Sequence, residues 1–354
     1  LAHKIFKTIK FDGTMGIRLE KIEKVVEEIV TKPELADLEN PKGYIGFEPS
    51  GMLHLGTGLY WTNVVNLFAE QGVDMIILLA DWHAQINDKL GGDLQRIRKA
   101  AEYMKHGFYS LGLKNNIKFV YASELVNDPG YWELLIKVAK SLTLPRLKRS
   151  LPIMGRKEED AESDVSKLIY PLMQATDIFY MDLDIALGGM DQRHVHMMAR
   201  DIYKKVGAKR FVAVHGPLIT SLKGGNRMDP ASKMSKSKLD SAIFIHDSPE
   251  EIKRKVNMAY CPEGEIESNP ILDIYRIIIF NFYPDDIETM EVRIESAKKS
   301  YRNFNELAED FKNKIIGAKA LKEDLSERLI RILEPSREYF NKKPELMELV
   351  EGLK

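Results

Sequence analysis

The chain has 354 residues, enough for two to three domains of ~150 residues and for a core that needs no covalent staples. A hydrophobic content of 44% with 30% charged residues excludes a disordered or collagen-like protein. The near balance of 52 basic and 53 acidic side chains excludes a wholesale basic nucleic-acid binder, and the single cysteine, Cys261, excludes an internal disulfide or a Cys-rich metal site.

Residues 17 to 31 place Ile17, Ile22, Val25, Val26 and Ile29 near a 3.6-residue period, which predicts an amphipathic helix and, over 1–35, an N-terminal helical extension. From Tyr44 the pattern becomes short apolar runs alternating with helical stretches. YIGF is followed by a helix with Tyr60, Trp61, Val64, Val65 and Phe68 on one face, which Gly72 can end. MIILLA then reads as a buried strand, about 94 to 111 as a helix, and IKFVYA as a strand. Helices across about 131 to 149 and 164 to 181 lead to strand DIALGG, a helix near 191 to 206 and strand FVAV. About five strands with helical crossovers predict an α/β fold with an open parallel sheet, whose ligands sit beyond the carboxyl ends of the strands.

After about residue 245 the strand signal stops and the rest reads helical. Ser248 offers an N-cap, Pro249 the first helical position and Glu251 the third, while Leu325, Leu329, Ile332 and Leu333 keep register in a later helix. The expected domains are therefore 36–230, a linker over 231–247, and a helical domain over 248–354. A lone cysteine suits a reducing, cytoplasmic setting. The longest apolar stretches, Met75 to Ala80 and Ile277 to Phe280, are far shorter than the ~20 residues of a membrane span.

Two loops stand out. Glu48 to Gly58 joins the first strand to its helix, and its glycines allow backbone amides and a helix N-terminus to approach an anion; the same composition also makes a tight strand-to-helix turn. It has neither G-x-G-x-x-G nor G-x-x-x-x-G-K-[ST] spacing. The second, Lys233-Met234-Ser235-Lys236-Ser237-Lys238, follows a flexible GGNRMDPAS stretch and reads either as a mobile loop carrying lysines to a polyphosphate or as an exposed basic loop. Asp81, Trp82 and His83 end the second strand, where they either contact a nucleotide or terminate the strand. His194 and His196 lack H-E-x-x-H spacing, so no metal ligand set is expected.

Together HLGTG and KMSKS resemble the two signatures of the class I aminoacyl-tRNA synthetases. The surrounding segments YIGFEPSG, ILLADWHAQIN, IYPLMQATDI, GGMDQRHVHMMAR and AYCPEG are similar to those of the archaeal and eukaryotic tyrosyl-tRNA synthetases, from about residue 15 to 340. The resemblance implies a Rossmann-like catalytic domain and a C-terminal all-helical domain facing the anticodon. It implies activation of L-tyrosine with ATP, accompanied by Mg2+ as the substrate complex, and transfer to the 3'-terminal adenosine of tRNA(Tyr), in a cytoplasmic homodimer. His54, Lys233 and Lys236 would be catalytic. Gly46, Gly56, Thr57, Met234 and Ser235 would join them around ATP, with no metal held by the protein itself.

By the same resemblance Tyr44 and Asp177 would bind the substrate phenol, and Tyr170, Gln174 and Gln192 its ammonium group. Tyr170, Gln174 and Asp177 stand at i, i+4 and i+7, so they share one helix face. By the resemblance Arg146, Lys148 and Arg149 lie in a helical insertion near 122–163 that contributes to the dimer interface, and they would meet the tRNA acceptor end. The first signature of the family ends in His or Asn where this chain has Thr57, whose hydroxyl reaches an oxygen but carries no charge. Ala320 stands where an anticodon-reading aspartate is expected. The alternatives are the tryptophan enzyme of the same fold and a catalytically silent, tRNA-binding paralogue.

Overall fold

A computed structural model describes residues 17–154, 164–225, 234, 239–283, 291–294 and 297–351. The chain forms two compact units, one comprising 1–50, 65–105 and 114–217, the other 51–64, 106–113 and 218–354. The later unit thus begins near 218 and also takes in the segments 51–64 and 106–113.

The first unit holds a six-stranded sheet: β1 (Glu28–Val30), β2 (Lys42–Phe47), β3 (Asp74–Leu79), β4 (Lys118–Tyr121), β5 (Ile185–Gly189) and β6 (Val212–Gly216). The spatial order is β1-β6-β5-β2-β3-β4, parallel throughout except for β1, which runs antiparallel to β6. β3 is a continuous apolar run buried from Met75 to Leu79, as expected of a strand covered on both faces. The chain builds outward from β2 through β3 to β4, then returns beside β2 with β5 and β6. The switch point lies between β2 and β5, and the segments leaving their carboxyl ends, from Glu48 and from Met190–Gln192, flank the crevice where such sheets bind ligands.

One expectation is corrected at the N-terminal end. The helix read over 17–31 is only Leu19–Glu23, and Glu28–Val30 is an edge strand in register with Ala213 to His215. Val25, Val26, Ile29 and Val30 are β-branched and favour a strand. Pairing with β6, begun by the Glu27 N–H donating to the His215 carbonyl at 2.8 Å, satisfies more of the backbone than a solitary helix end.

The second unit is largely helical, as its sequence predicts. Ser248 accepts from the Glu251 N–H at 3.2 Å, and the helix Pro249–Met258 starts there. Leu321, Leu325 and Leu329 form the buried stripe of Ala318–Ile332. A hairpin of β7 (Glu291–Ile294) and β8 (Ala297–Ser300) interrupts the expected helices. Its period-2 pattern, Glu-Val-Arg-Ile, is four residues long and is masked by the helical sequence around it.

Candidate active site

Within the first unit, the helix Ser166–Tyr180 turns the three residues of its polar face inward. Tyr170 is 6% and Asp177 1% exposed, and Gln174 between them is half-buried. Tyr44 faces them from β2, between Ile76 of β3 and Ala186 of β5, and is itself buried. Two residues along, Gly46 lies on the same strand face and leaves it bare and exposed.

The polar groups interlock. Gln174 hydrogen-bonds the Tyr44 hydroxyl, and its Nε2 donates to Gln192 Oε1 at 3.1 Å. Gln192 Nε2 donates in turn to the Ile153 carbonyl at 3.3 Å. Tyr131 donates to Asp177 Oδ1 at 2.7 Å, and His83 Nε2 lies 3.1 Å from Asp177 Oδ2 without hydrogen-bond alignment. Tyr170 donates to Glu48, and the His83 ring meets the Tyr170 ring edge-on at 5.1 Å between centroids. Two buried acceptors, Asp177 Oδ2 and Gln174 Oε1, receive no hydrogen bond among the described residues. A buried acceptor left without an aligned donor costs free energy, so Gln174 Oε1, and Asp177 Oδ2 beyond its charge contact with His83, call for one from outside the chain.

Electrostatics agree. Burial and then the Asp177 charge hold the Tyr44 hydroxyl far above the ordinary tyrosine range, against the opposing Gln174 hydrogen bond, so it stays protonated. Burial favours neutral His83, but the Asp177 carboxylate 3.1 Å away, with the charges of Glu48 and Asp81, outweighs it and raises His83 above its usual value. Glu48 is steadied by Asn87 Nδ2 at 2.9 Å and by Lys89 at 3.6 Å.

The residues predicted for the amino acid, Tyr44, Tyr170, Gln174, Asp177 and Gln192, therefore come together in one unit. His83, read from sequence as a strand end or nucleotide contact, belongs to this cluster, in the first turn of the helix Asp81–Ile86. Tyr131 and Glu48 were missed; a tyrosine in the apolar helix Pro129–Lys140 carries no local signal. Gly188 is the other omission. A Cβ there would stand 2.9 Å from Gln192 Cβ and 3.1 Å from His196 Cε1, so only glycine lets Gln192 fold back over β5.

In the second unit His54 caps the π-helical turn Leu55–Tyr60. Its Nδ1 accepts from the Gly56 N–H at 3.1 Å, while Thr57 Oγ1 accepts from the His54 N–H at 3.4 Å. This reciprocal cap gives Thr57 a role its lack of charge does not impair. It also places the proton of the neutral His54 ring on Nε2. Gly56 is half-buried, and a Cβ on it would press on the His54 ring at 3.2 Å.

Met234 is 5% exposed, and its N–H donates to the Ile219 carbonyl at 3.0 Å. Lys233, Ser235 and Lys236 lie outside the described residues. Of the basic cluster, Arg146 is bound by Asp201 through Nε at 3.0 Å and a terminal nitrogen at 2.7 Å, Lys148 is half-buried and Arg149 is exposed.

A mostly parallel α/β sheet with a buried polar cluster beside its switch point, in a chain that also carries HLGTG and KMSKS, defines an enzyme of the class I synthetase type. The model of the class I tRNA synthetases for tryptophan and tyrosine matches residues 37–334, and the chain belongs to this family. The tyrosine–tRNA ligase of Picrophilus torridus is 58% identical over 271 residues, 76% of this chain and 82% of its own. That of Saccharolobus islandicus is 45% identical over 95% of this chain and 97% of its own. Among solved structures, the tyrosyl-tRNA synthetase of Pyrococcus horikoshii complexed with L-tyrosine superposes with a TM-score of 0.87 at 38% identity, covering 95% of this chain and 100% of that one. That of Aeropyrum pernix gives 0.84 at 42% identity, over 95% and 98%. No helix among the described residues is long and apolar enough to cross a membrane.

Proposed function

We propose that the chain ligates L-tyrosine to tRNA(Tyr). The observation that carries this reading is the pair of unmatched buried acceptors, Asp177 Oδ2 and Gln174 Oε1, beside the protonated Tyr44. A free tyrosine brings the matching groups: its phenol O–H donates to Asp177 while its oxygen accepts from the Tyr44 hydroxyl, and its ammonium donates to the oxygens of Gln174, Gln192 and Tyr170. Tyr131 and His83 hold the Asp177 carboxylate in place.

The substrate carboxylate is already ionised at neutral pH. Its oxygen forms a bond to the α-phosphorus of ATP as the bond to pyrophosphate breaks, so no covalent enzyme nucleophile is required and the residues act by orientation and charge stabilisation. His54 Nε2–H serves the nucleotide, and Gly46, Gly56, Thr57, Met234 and Ser235 are the other residues assigned to ATP. Lys233 and Lys236 neutralise the departing pyrophosphate, and Mg2+ enters bound to the phosphates of ATP. In the second step a hydroxyl of the terminal adenosine attacks the activated carbonyl and AMP leaves.

Arg146, Lys148 and Arg149 meet the acceptor end, with Arg146 preset by Asp201. Residues 248–354 face the anticodon, where Ala320 excludes a carboxylate contact at that position. Exposed Trp132, Ile136 and Leu144 on the helices Pro129–Lys140 and Leu144–Lys148 provide an apolar surface for a homodimer. The enzyme acts in the cytoplasm.

The test is amino-acid-dependent exchange between ATP and pyrophosphate with tyrosine, tryptophan and phenylalanine. Exchange with tyrosine alone is expected. Exchange driven by tryptophan overturns the assignment of the substrate, and none with any amino acid favours a silent paralogue.

A further inference from the structure

In the second unit His54 is a rung of a short antiparallel bridge. It pairs with Phe244, and the flanking bonds run from the Leu55 N–H to the Ile243 carbonyl at 3.0 Å and from the Ile245 N–H to the Leu53 carbonyl at 3.1 Å. The ring of the histidine therefore stands wherever residues 243–245 hold its backbone.

Those residues are held by a buried ion pair. Asp247 Oδ2 accepts from the Phe244 N–H at 2.9 Å and from Lys255 Nζ at 2.6 Å. Lys255 also sits over the Phe244 ring, 4.6 Å from its centroid. The side chains of Lys255 and Asp247 are 4% and 11% exposed. Both charges thus converge on Phe244, one through its backbone and the other through its ring. A buried ion pair is a poor source of stability, since an apolar pair of the same volume often does as well or better. What it supplies here is a fixed direction, because hydrogen bonds from charged groups are strong and geometrically narrow.

We propose that Asp247 and Lys255 are positioning residues for His54, fixing through Phe244 the strand from which the histidine reaches the nucleotide phosphates. The inference rests on the adenylate-forming role given to His54 above.

The test is a double-mutant cycle on tyrosine-dependent pyrophosphate exchange, using Asp247→Asn, His54→Ala and the combination, at a temperature below the melting transition of all three. Asp247→Asn is expected to lower kcat on the order of tenfold to a hundredfold, with the KM for tyrosine unchanged. In the His54→Ala background the same substitution is expected to change kcat by less than about twofold, because residues acting as one unit are not additive. An equal loss in both backgrounds, or a lowered melting temperature with kcat unchanged, overturns the proposal. If Asp247→Asn does not fold, Asp247→Asn with Lys255→Met, which leaves neither charge buried alone, takes its place in the cycle. Wild-type protein without tyrosine-dependent exchange would instead overturn the proposed reaction.

Discussion

Replacing Asp177 by asparagine keeps the shape of the side chain and an oxygen for the Tyr131 hydroxyl, now 2.7 Å away. It removes the charge and turns the second oxygen, the unmatched one, into an NH2 donor. The phenol of a bound tyrosine then loses a hydrogen bond to a charged acceptor, a contact worth about 1.5 to 3 kcal/mol. Converted through the rate expression, kcat/KM for tyrosine falls by about tenfold to 150-fold. Phenylalanine has no hydroxyl to lose, so its value stays the same or rises, and discrimination between the two narrows by at least the same factor. Pyrophosphate exchange with each amino acid in turn measures both quantities. A loss below about threefold for tyrosine, or an equal loss for both substrates, would refute the assignment of Asp177 to the phenol.

Two further outcomes are expected. Gly188→Ala drives a methyl to within 2.9 Å of Gln192 Cβ, so the turn that carries Gln192 must shift; the KM for tyrosine rises several-fold with kcat largely kept, and an unchanged KM would show that Gln192 does not meet the substrate. The second concerns the chain in which His215 Nδ1 donates to Glu28 Oε2 at 2.7 Å and His196 Nδ1 donates to His215 Nε2 at 3.0 Å, with Arg193 Nε donating to the same Glu28 oxygen at 2.8 Å. Burial, then His215 and Arg200, hold His196 well below 6.5, and burial holds His215 below it against the pull of Glu28 and Asp191. Both rings are therefore neutral when folded and take up protons on unfolding. Their contribution is complete above the unfolded value of 6.5 and is lost as pH falls below it, by up to about 1.4 kcal/mol per pH unit for each ring. Urea unfolding at about pH 7.5 and about pH 5.5 should show a shallower loss for His196→Asn than for the wild type; equal slopes would refute the account.

Much of this was legible in the sequence because the signals were long or doubly specified. The sheet strands β2 to β6 announced themselves by apolar runs between helical periods, and the face of Tyr170, Gln174 and Asp177 by its spacing. The departures have a common cause. β1 and the β7–β8 hairpin are three and four residues long, too short for a period to show, and each exists because a neighbouring strand completes its hydrogen bonds. Tyr131, Glu48 and His83 join the amino-acid cluster through contacts distant in sequence, 46 residues in the case of Tyr131 and Asp177. Thr57 read as a loss because charge was the property considered, whereas a backbone N–H needs only an oxygen.

The two outer strands of the sheet are also its shortest, Glu28–Val30 on one side and Lys118–Tyr121 on the other. Each carries a charge held back against its own unit, Glu28 by Arg193 and His215, and Lys118 by Asp74 at 3.2 Å. A foreign strand approaching either margin finds few free backbone groups and would have to pull an ion pair apart to use them. Short, charge-bearing margins of this kind make a poor template for a further strand, which works against strand-to-strand aggregation at high concentration.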